Sequence, residues 1–233
     1  MSKNDKAGPD PCVWLVQGHG ILNSRGWRSR ETLENGGRTP EPILEAMRQT
    51  KVGWFLPQDR FPTDNYPLPN SHPSAHEERV PQIFSNGFIF LAGESAEVVR
   101  SFDMGKGALY PVRLWHPDGK TPMPGAFFYL SQGNKKDALL LEKSVNLDQF
   151  ALGRWGVPRA RRDKPLAVFS KAALEGPDLW WDKLIVDDFF ISDRLKRALD
   201  QRRLSRDWHL VRCPVVTDAG WPARHRRCRS GNE

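Results

Sequence analysis

The chain has few cysteines, and those it has lie far apart. Cys12, Cys213 and Cys228 are the only three among 233 residues. An odd number at such separations matches neither a disulfide framework nor the close spacing of zinc ligands. We therefore expect free thiols in a reducing compartment, without a special part in the fold or the chemistry.

Long apolar runs are also missing. No stretch approaches the roughly 18 to 20 continuous apolar residues that a membrane helix needs. The N-terminal segment, MSKNDKAGPDPC, is polar and lacks the apolar core of a secretory signal. These absences predict a cytoplasmic protein that does not span a membrane.

Recognisable catalytic and metal-binding motifs are absent as well. The sequence contains no G-x-S-x-G or H-E-x-x-H, and Gly105-Lys106-Gly107 lacks the spacing and the Ser or Thr of a phosphate-binding loop. His72 and His76 are four residues apart, but Pro73 disfavours the helix that would bring both to one metal ion. We predict no metal ligands and no cofactor.

Two isolated features keep an enzyme of unrecognised type open as an alternative. Asp187 and Asp188 are adjacent carboxylates, but neighbours in a strand point to opposite faces, so only a bulge would direct both at one atom. His209 has no surrounding pattern that marks it as a catalytic base, which favours a structural histidine. We predict no catalytic residues and a protein that is not an enzyme.

The remaining composition is typical of a folded domain. Hydrophobic residues make up 39% and aromatic residues 10%, with nine tryptophans. A chain of 233 residues is long enough to bury a sizeable core. Trp is common in cores and at the centres of protein interfaces, and we take the core as the default for each one.

Positive charge is concentrated in the last third of the chain. The net charge is +7, and residues 151–233 contain 18 Lys and Arg against 11 Asp and Glu, whereas the first two thirds are balanced. The excess lies in the segment from Arg154 to Lys164 and in a tail from Arg224 to Arg229. Such clusters bind an acidic protein face or a phosphate backbone, or they only keep the chain solvated, which is the simpler interpretation.

Local patterns divide the chain into three parts. Residues 1–11 are predicted to be disordered, residues 12–217 to form one domain, and residues 218–233 to form a basic tail. Within the domain, Cys12–Gln17 predicts a strand and Pro42–Gln49 a short helix. The six prolines from Pro57 to Pro81 predict a long, semi-extended loop without central strands.

A strand–helix–strand pattern occurs twice, about 100 residues apart. The first copy comprises Phe88–Leu91, Gly93–Phe102 and Leu109–Trp115; the second comprises Phe189–Ile191, Arg194–Gln201 behind the N-cap Ser192, and Trp208–Val216. Ala126–Leu130, Ala138–Leu141 and Leu166–Phe169 predict further strands. The sequence therefore predicts an α+β fold with a mostly antiparallel sheet, a few short helices and a strand–helix–strand pseudo-repeat.

Four segments resemble the Imm11 family, immunity proteins associated with bacterial polymorphic toxins: PQIFSNGFIFLAGESAEVV, LYPVRLW, DLWWDKLIVDDFFISDRLKRAL and WHLVRCPVV. The similarity covers about Pro57 to Val216, and it departs from the family at Ala92, where Ser is usual, and at Trp181, where Arg is common. The resemblance implies a protein that binds and neutralises a cognate toxin, encoded by a neighbouring gene, without catalysis. It implies roles in the fold for Leu179, Trp180, Ser192, Leu195 and Leu199.

An immunity protein needs exposed aromatic and Arg side chains to hold its toxin. The segment from Arg154 combines cations, a Trp and a Gly-Val-Pro turn, and two adjacent Trp side chains are not expected to face one core. The predicted partner-binding residues are Arg154, Trp155, Arg159, Arg161, Trp180 and Trp181. The basic balance favours an acidic toxin surface.

The alternative is a nucleic-acid-binding or regulatory protein that uses the basic C-terminal third, and the oligomeric state stays open.

Overall fold

The computed structural model describes residues 10–18, 26–67, 80–150, 153–158 and 166–217. Their strands are β1 Cys12–Val16, β2 Trp27–Ser29, β3 Asp64–Pro67, β4 Ile83–Ser85, β5 Ile89–Ala92, β6 Ala108–Leu114, β7 Phe127–Ser131, β8 Lys135–Lys136, β9 Asp148–Phe150, β10 Arg154–Gly156, β11 Phe169–Ser170, β12 Leu179–Asp182, β13 Phe189–Ser192 and β14 Leu210–Val216. Their α-helices are α1 Arg30–Glu34, α2 Glu41–Thr50, α3 Gly93–Arg100, α4 Asp193–Gln201 and α5 Ser205–Trp208. Short 3-10 helices lie at Gln58–Arg60, Leu141–Lys143 and Lys171–Leu174.

The strands form two six-stranded sheets and one hairpin. Sheet 1 has the order β2-β3-β6-β7-β5-β4, sheet 2 has the order β11-β14-β1-β13-β12-β8, and β9 pairs with β10. Most neighbours are antiparallel; the parallel pairs are β3 with β6, β11 with β14 and β12 with β8. Helices and mostly antiparallel sheets together make this an α+β fold, as the sequence predicts.

Five strands and one helix recur in the same spatial order in both sheets, although the central strand comes last along the chain in sheet 1 and first in sheet 2. In sheet 1 the order β3-β6-β7-β5-β4 corresponds to β11-β14-β1-β13-β12 in sheet 2, and the first pair is parallel in each case. α3 follows β5 directly, and α4 follows β13 directly. We call these units the first and second repeats. The predicted pseudo-repeat is confirmed, and the N-terminal strand β1 completes the second repeat.

The helices of the two repeats begin at equivalent positions. Ala92 and Ser192 are their N-cap residues, both with extended backbone. The Ser192 hydroxyl accepts a hydrogen bond from the Leu195 backbone N–H at 3.2 Å, as its predicted capping role requires. Ala92 has no side chain that could do this. α3 and α4 pack against each other, and the buried Trp208 indole donates to Ser95 of α3 at 3.1 Å, which ties the two repeats together.

Buried side chains lie on both faces of both sheets, although Pro111 and Arg113 of β6 are exposed. Side chains alternate along a strand, so consecutive residues enter different cores when both faces are covered. The core between the repeats contains α3, α4 and the facing strands. Segments from residues 138–185 cover the outer face of sheet 2, and α2 with residues 56–61 covers the outer face of sheet 1. No helix in the described part of the chain is long and apolar enough to cross a membrane.

The loop predicted from the prolines between Pro57 and Pro81 contains a strand. β3 lies inside sheet 1, antiparallel to β2 and parallel to β6, so the prediction is wrong for Asp64–Pro67. Pro67 is the last residue of that strand, where a missing N–H interrupts the ladder least. Residues 68–79 lie outside the described residues.

Other predicted elements differ as well; the strand predicted at Leu166–Phe169, for example, is Phe169–Ser170. The predicted strand Ala138–Leu141 is a loop that forms one isolated bridge and leads into a 3-10 helix. Trp208 ends α5, so the last strand begins two residues later than predicted. Disorder up to residue 11 is wrong at its end, because the Pro11 carbonyl accepts a hydrogen bond from the Val215 N–H at 3.0 Å. The predicted tail, residues 218–233, lies outside the described residues.

Candidate functional site

Trp180 and Trp181 are predicted to contact a partner, but both are core residues. Their exposed fractions are 0% and 2%. They are successive residues of β12, so Trp180 enters the core outside sheet 2 and Trp181 the core between the repeats. The premise that one of them must be exposed is wrong because both faces of this sheet are covered.

Arg154 and Trp155 lie on β10, in the hairpin with β9. Trp155 is half-buried, packs against the core outside sheet 2, and donates its backbone N–H to Leu184 at 2.7 Å. Arg154 pairs with Phe150 across the hairpin, so the two side chains share a face, and Phe150 is 50% exposed. Both residues are half-buried, with Arg154 on the face of the exposed Phe150 and Trp155 packed toward the core. Arg159 and Arg161 lie outside the described residues.

Trp54 and Phe55 form an exposed aromatic pair after α2. Their exposed fractions are 56% and 45%. Before them, Gly53 has φ +70, and a Cβ at this position would lie 2.5 Å from Cγ of Trp181. Only glycine allows the backbone to lie this close to the buried indole ring. The buried Trp181 ring thus packs against the backbone of this segment instead of contacting a partner.

Leu56, the residue after the pair, is also held in place by packing and hydrogen bonds. Leu56 is 4% exposed and packs into the core outside sheet 1. The Ser131 hydroxyl accepts a hydrogen bond from the Leu56 N–H and donates one to its carbonyl, each at 2.9 Å. Tyr110 donates its hydroxyl to the same carbonyl at 3.1 Å. The exposed pair is therefore anchored on both sides, which lowers the entropy that binding would have to remove.

Cations lie next to this aromatic pair. The Lys135 ammonium is 5.6 Å from the centroid of the Trp54 ring, within cation–π range. Partial burial and then the neighbouring Arg154 guanidinium hold the pKa of Lys135 below its ordinary value. The two positive charges therefore lie close enough to repel each other.

Lys106 lies beside Gly133, as Phe55 does. A Cβ on Gly133 would lie 2.7 Å from Cβ of Phe55 and 3.1 Å from Cβ of Lys106. Hydrogen bonds from residues 183–184 to Lys136 and Trp155 place β8 beside β10, so the aromatic side chains and their cations lie on adjoining segments. We call these side chains together the aromatic–basic surface and define it as Trp54, Phe55, Lys106, Lys135, Phe150 and Arg154.

Ion pairs border the aromatic–basic surface, but its own cations are unpaired within the described residues. Lys51 lies 3.4 Å from Asp187, and Lys183 lies 3.0 Å from Asp137. No carboxylate from residues 10–18, 26–67, 80–150, 153–158 or 166–217 forms an ion pair with the three cations of the surface. Among the residues that the structure describes, the surface is thus a patch of unpaired positive charge around exposed rings, with ion pairs on neighbouring segments.

A cleft of about 710 Å³ adjoins the surface at Phe150. α1, α2, the turn between β4 and β5, and residues 186–188 line it. Ser29 accepts a hydrogen bond from the Thr32 N–H at 3.2 Å, and Thr50 donates its hydroxyl to the Met47 carbonyl at 2.8 Å. These hydroxyls close local turns and helix ends instead of converging on the space between them.

The residues of the enzyme alternative are not gathered in one place. Asp187 and Asp188 both border the cleft, and Asp187 has φ +65, so the two do not alternate as in a strand. His209 is exposed and follows α5 in the left-handed region, with φ 45, so its predicted place in a strand is wrong. Within the described ranges no group of three His, Cys, Asp or Glu residues is arranged to hold a metal ion. His72 and His76 lie outside those ranges.

The sequence carries a weak signal for Trp54 and Phe55. They stand between a glycine and the segment Leu56-Pro57, directly after an amphipathic helix, which is typical of a turn that displays its side chains. The signal does not separate an exposed pair from a buried one, as Trp180 and Trp181 demonstrate. Exposure here depends on contacts with Trp181 and Ser131, which are distant in the sequence.

Comparison with known proteins does not extend the resemblance described above. No family model matches the sequence, and a search among curated proteins finds no match either. The resemblance to the Imm11 family stays a prediction from the four quoted segments.

Proposed function

We propose that this protein binds and neutralises a protein toxin without catalysing a reaction. The observation that carries the proposal is the aromatic–basic surface, where Trp54 and Phe55 are held exposed on an anchored segment beside unpaired cations. Aromatic and cationic side chains of this kind are enriched among the residues that dominate binding energy. The sequence resemblance to immunity proteins supports a toxin as the partner.

The area and the free energy that Trp54 and Phe55 can contribute are sufficient for a binding anchor but not for a complete interface. Covering the exposed halves of Trp54 and Phe55 would bury roughly 200 Å² of apolar surface, a gross gain of about 5 kcal/mol. Association costs about as much or more in lost rigid-body freedom, and stable complexes bury about 1,200 Å² or more in total. The anchor must therefore be surrounded by a larger contact area, for which the neighbouring segments with ion pairs are available.

The test is a toxicity rescue with a matched variant pair. The neighbouring open reading frame is expressed in a sensitive host with and without this protein, and complex formation is followed by size exclusion. We expect the natural protein to rescue growth and co-elute, and the double variant Trp54→Ala/Phe55→Ala to lose co-elution while remaining folded. Leu174→Ala is the control, because Leu174 is 48% exposed and lies in the 3-10 helix Lys171–Leu174, outside the surface. A harmless neighbour that forms no complex would refute the proposal.

A further inference from the structure

We propose that the aromatic–basic surface recognises an acidic, extended segment of the partner protein, whose apolar side chain packs on Trp54 and Phe55 while its carboxylates pair with Lys106, Lys135 and Arg154. This inference rests on the proposed function and adds the chemistry of the partner. It assigns a binding role to side chains that the sequence alone does not single out, apart from Arg154.

Charge complementarity is the first argument. Lys183 donates its N–H to the Lys136 carbonyl and Leu184 accepts from the Trp155 N–H, which brings Lys135 and Arg154 into neighbouring positions, and the Lys135 ammonium lies 5.6 Å from the centroid of the Trp54 ring. Like charges near each other are unfavourable unless an anion joins them. No described carboxylate does so, whereas Lys51 and Lys183 nearby each have an acidic partner. A carboxylate from outside the chain would relieve the repulsion.

The geometry of the aromatic pair is the second argument. The Gly53 backbone lies against Trp181, and Leu56 is buried and doubly hydrogen-bonded to Ser131, so Trp54 and Phe55 cannot fold back into the core without breaking both anchors. Exposed rings held in this way form a fixed apolar surface next to the cations. Such a surface suits an apolar side chain flanked by acidic residues.

The neighbouring ion pairs favour a protein segment over a nucleic acid. A phosphate backbone repeats its charge every few ångströms and is best matched by a continuous basic track. Two carboxylates interrupt such a track near the surface: Asp137, two residues after Lys135, pairs with Lys183, and Asp187 pairs with Lys51, three residues before Trp54. A short acidic segment needs only the three central cations.

The experiment uses the full-length protein and a defined probe, the peptide acetyl-Glu-Asp-Leu-Phe-Glu-Asp-amide. Binding is followed by NMR through the indole N–H signal of Trp54, assigned with the variant Trp54→Phe. We expect a saturable shift for the natural protein and at least tenfold weaker binding for Lys135→Glu/Arg154→Glu. The control Lys120→Glu/Lys143→Glu reverses two exposed charges elsewhere and should bind like the natural protein.

Each outcome decides the inference. No saturable shift, or equal binding by the charge-reversal variant on the surface and its control, overturns it. Tighter binding of a twelve-nucleotide single-stranded DNA than of the peptide overturns it in favour of a nucleic acid. If peptide binding behaves as expected but the toxin rescue fails, the proposed function falls and the surface stands. If rescue succeeds and Lys135→Glu/Arg154→Glu still binds the toxin, the function stands and the surface falls.

Discussion

Replacing Trp180 by Ala tests whether the adjacent tryptophans belong to the core. The Trp180 side chain is 0% exposed, and its ring centroid lies 4.8 Å from that of Phe190 and 5.4 Å from that of Phe169. Truncating a buried Trp lowers the free energy of unfolding by about 3 to 5 kcal/mol, because transfer energy is lost and a cavity remains. Each aromatic contact adds about 0.5 to 1.5 kcal/mol beyond the buried area. We expect a loss of about 4 kcal/mol.

Two further variants separate packing from other effects. Trp180→Phe keeps an aromatic ring, and the Trp180 indole N–H has no hydrogen-bond partner among the described residues, so its removal breaks no hydrogen bond. We expect this variant to lose only about 1 kcal/mol. Trp54→Ala removes the same residue type from a site that is 56% exposed, and its free energy of unfolding should stay within about 0.5 kcal/mol of the natural value.

Urea denaturation followed by far-ultraviolet circular dichroism measures all three variants without relying on tryptophan fluorescence. The midpoint and the slope together give the free energy of unfolding. A loss below about 2 kcal/mol for Trp180→Ala, or a similar loss for Trp54→Ala, would contradict the assignment of one Trp to the core and the other to the surface.

Three other predictions concern the support of the surface and the buried ionisable groups. Gly53→Ala should lower the free energy of unfolding by about 1 to 3 kcal/mol in the same urea assay and weaken peptide binding, because φ is +70 and a Cβ would meet Trp181; unchanged stability would contradict the close approach. Burial lowers the pKa of Lys136 to about 8, so the unfolded chain binds this proton more strongly than the folded chain does. The full shift corresponds to roughly 2 to 3 kcal/mol, and because the side chain is only half-buried and partly screened by water, we expect stability to rise by about 1 kcal/mol between pH 8 and 10.5 relative to Lys136→Met; a flat difference would refute this. Burial raises the pKa of Cys213 to about 12, so in a Cys12→Ser/Cys228→Ser background this thiol should react with a disulfide reagent only after unfolding, and fast labelling of the native protein at pH 8 would contradict its burial.

The repeat was predictable because its signals are local. Apolar positions at helical spacing and a Ser at the N-cap of α4 are visible within a dozen residues, and the structure has them where the sequence predicts. The pairing of β1 between β13 and β14 was not predictable in this way. Nothing in CVWLV indicates that its neighbours lie about 180 residues away, because strand propensity carries no information on the partner.

The candidate site was mostly missed because burial is set by distant segments. The argument for exposing one of Trp180 and Trp181 assumes a sheet with one buried face, and segments from residues 138–185 cover the other face. Trp54 and Phe55 follow the same two-aromatic pattern and are exposed, because their segment is not part of a strand. Arg154 belongs both to the predicted partner-binding residues and to the aromatic–basic surface, and its role in binding stays a prediction.

Most residues of the aromatic–basic surface lie outside the two repeats, so they can be substituted while the fold keeps its stability. The two repeats comprise residues 64–131 on one side and residues 12–16 and 169–216 on the other, and they supply the core between them. Of the six residues of the surface, only Lys106 lies within these ranges; Trp54, Phe55, Lys135, Phe150 and Arg154 lie on segments that precede or connect the repeats. Substitutions there remove little buried area, so a new partner can be accommodated at small cost in folding free energy. Substitutions in β12 are expected to have the opposite effect. They change buried residues on both faces of sheet 2 and so lower stability, without replacing any side chain of the aromatic–basic surface.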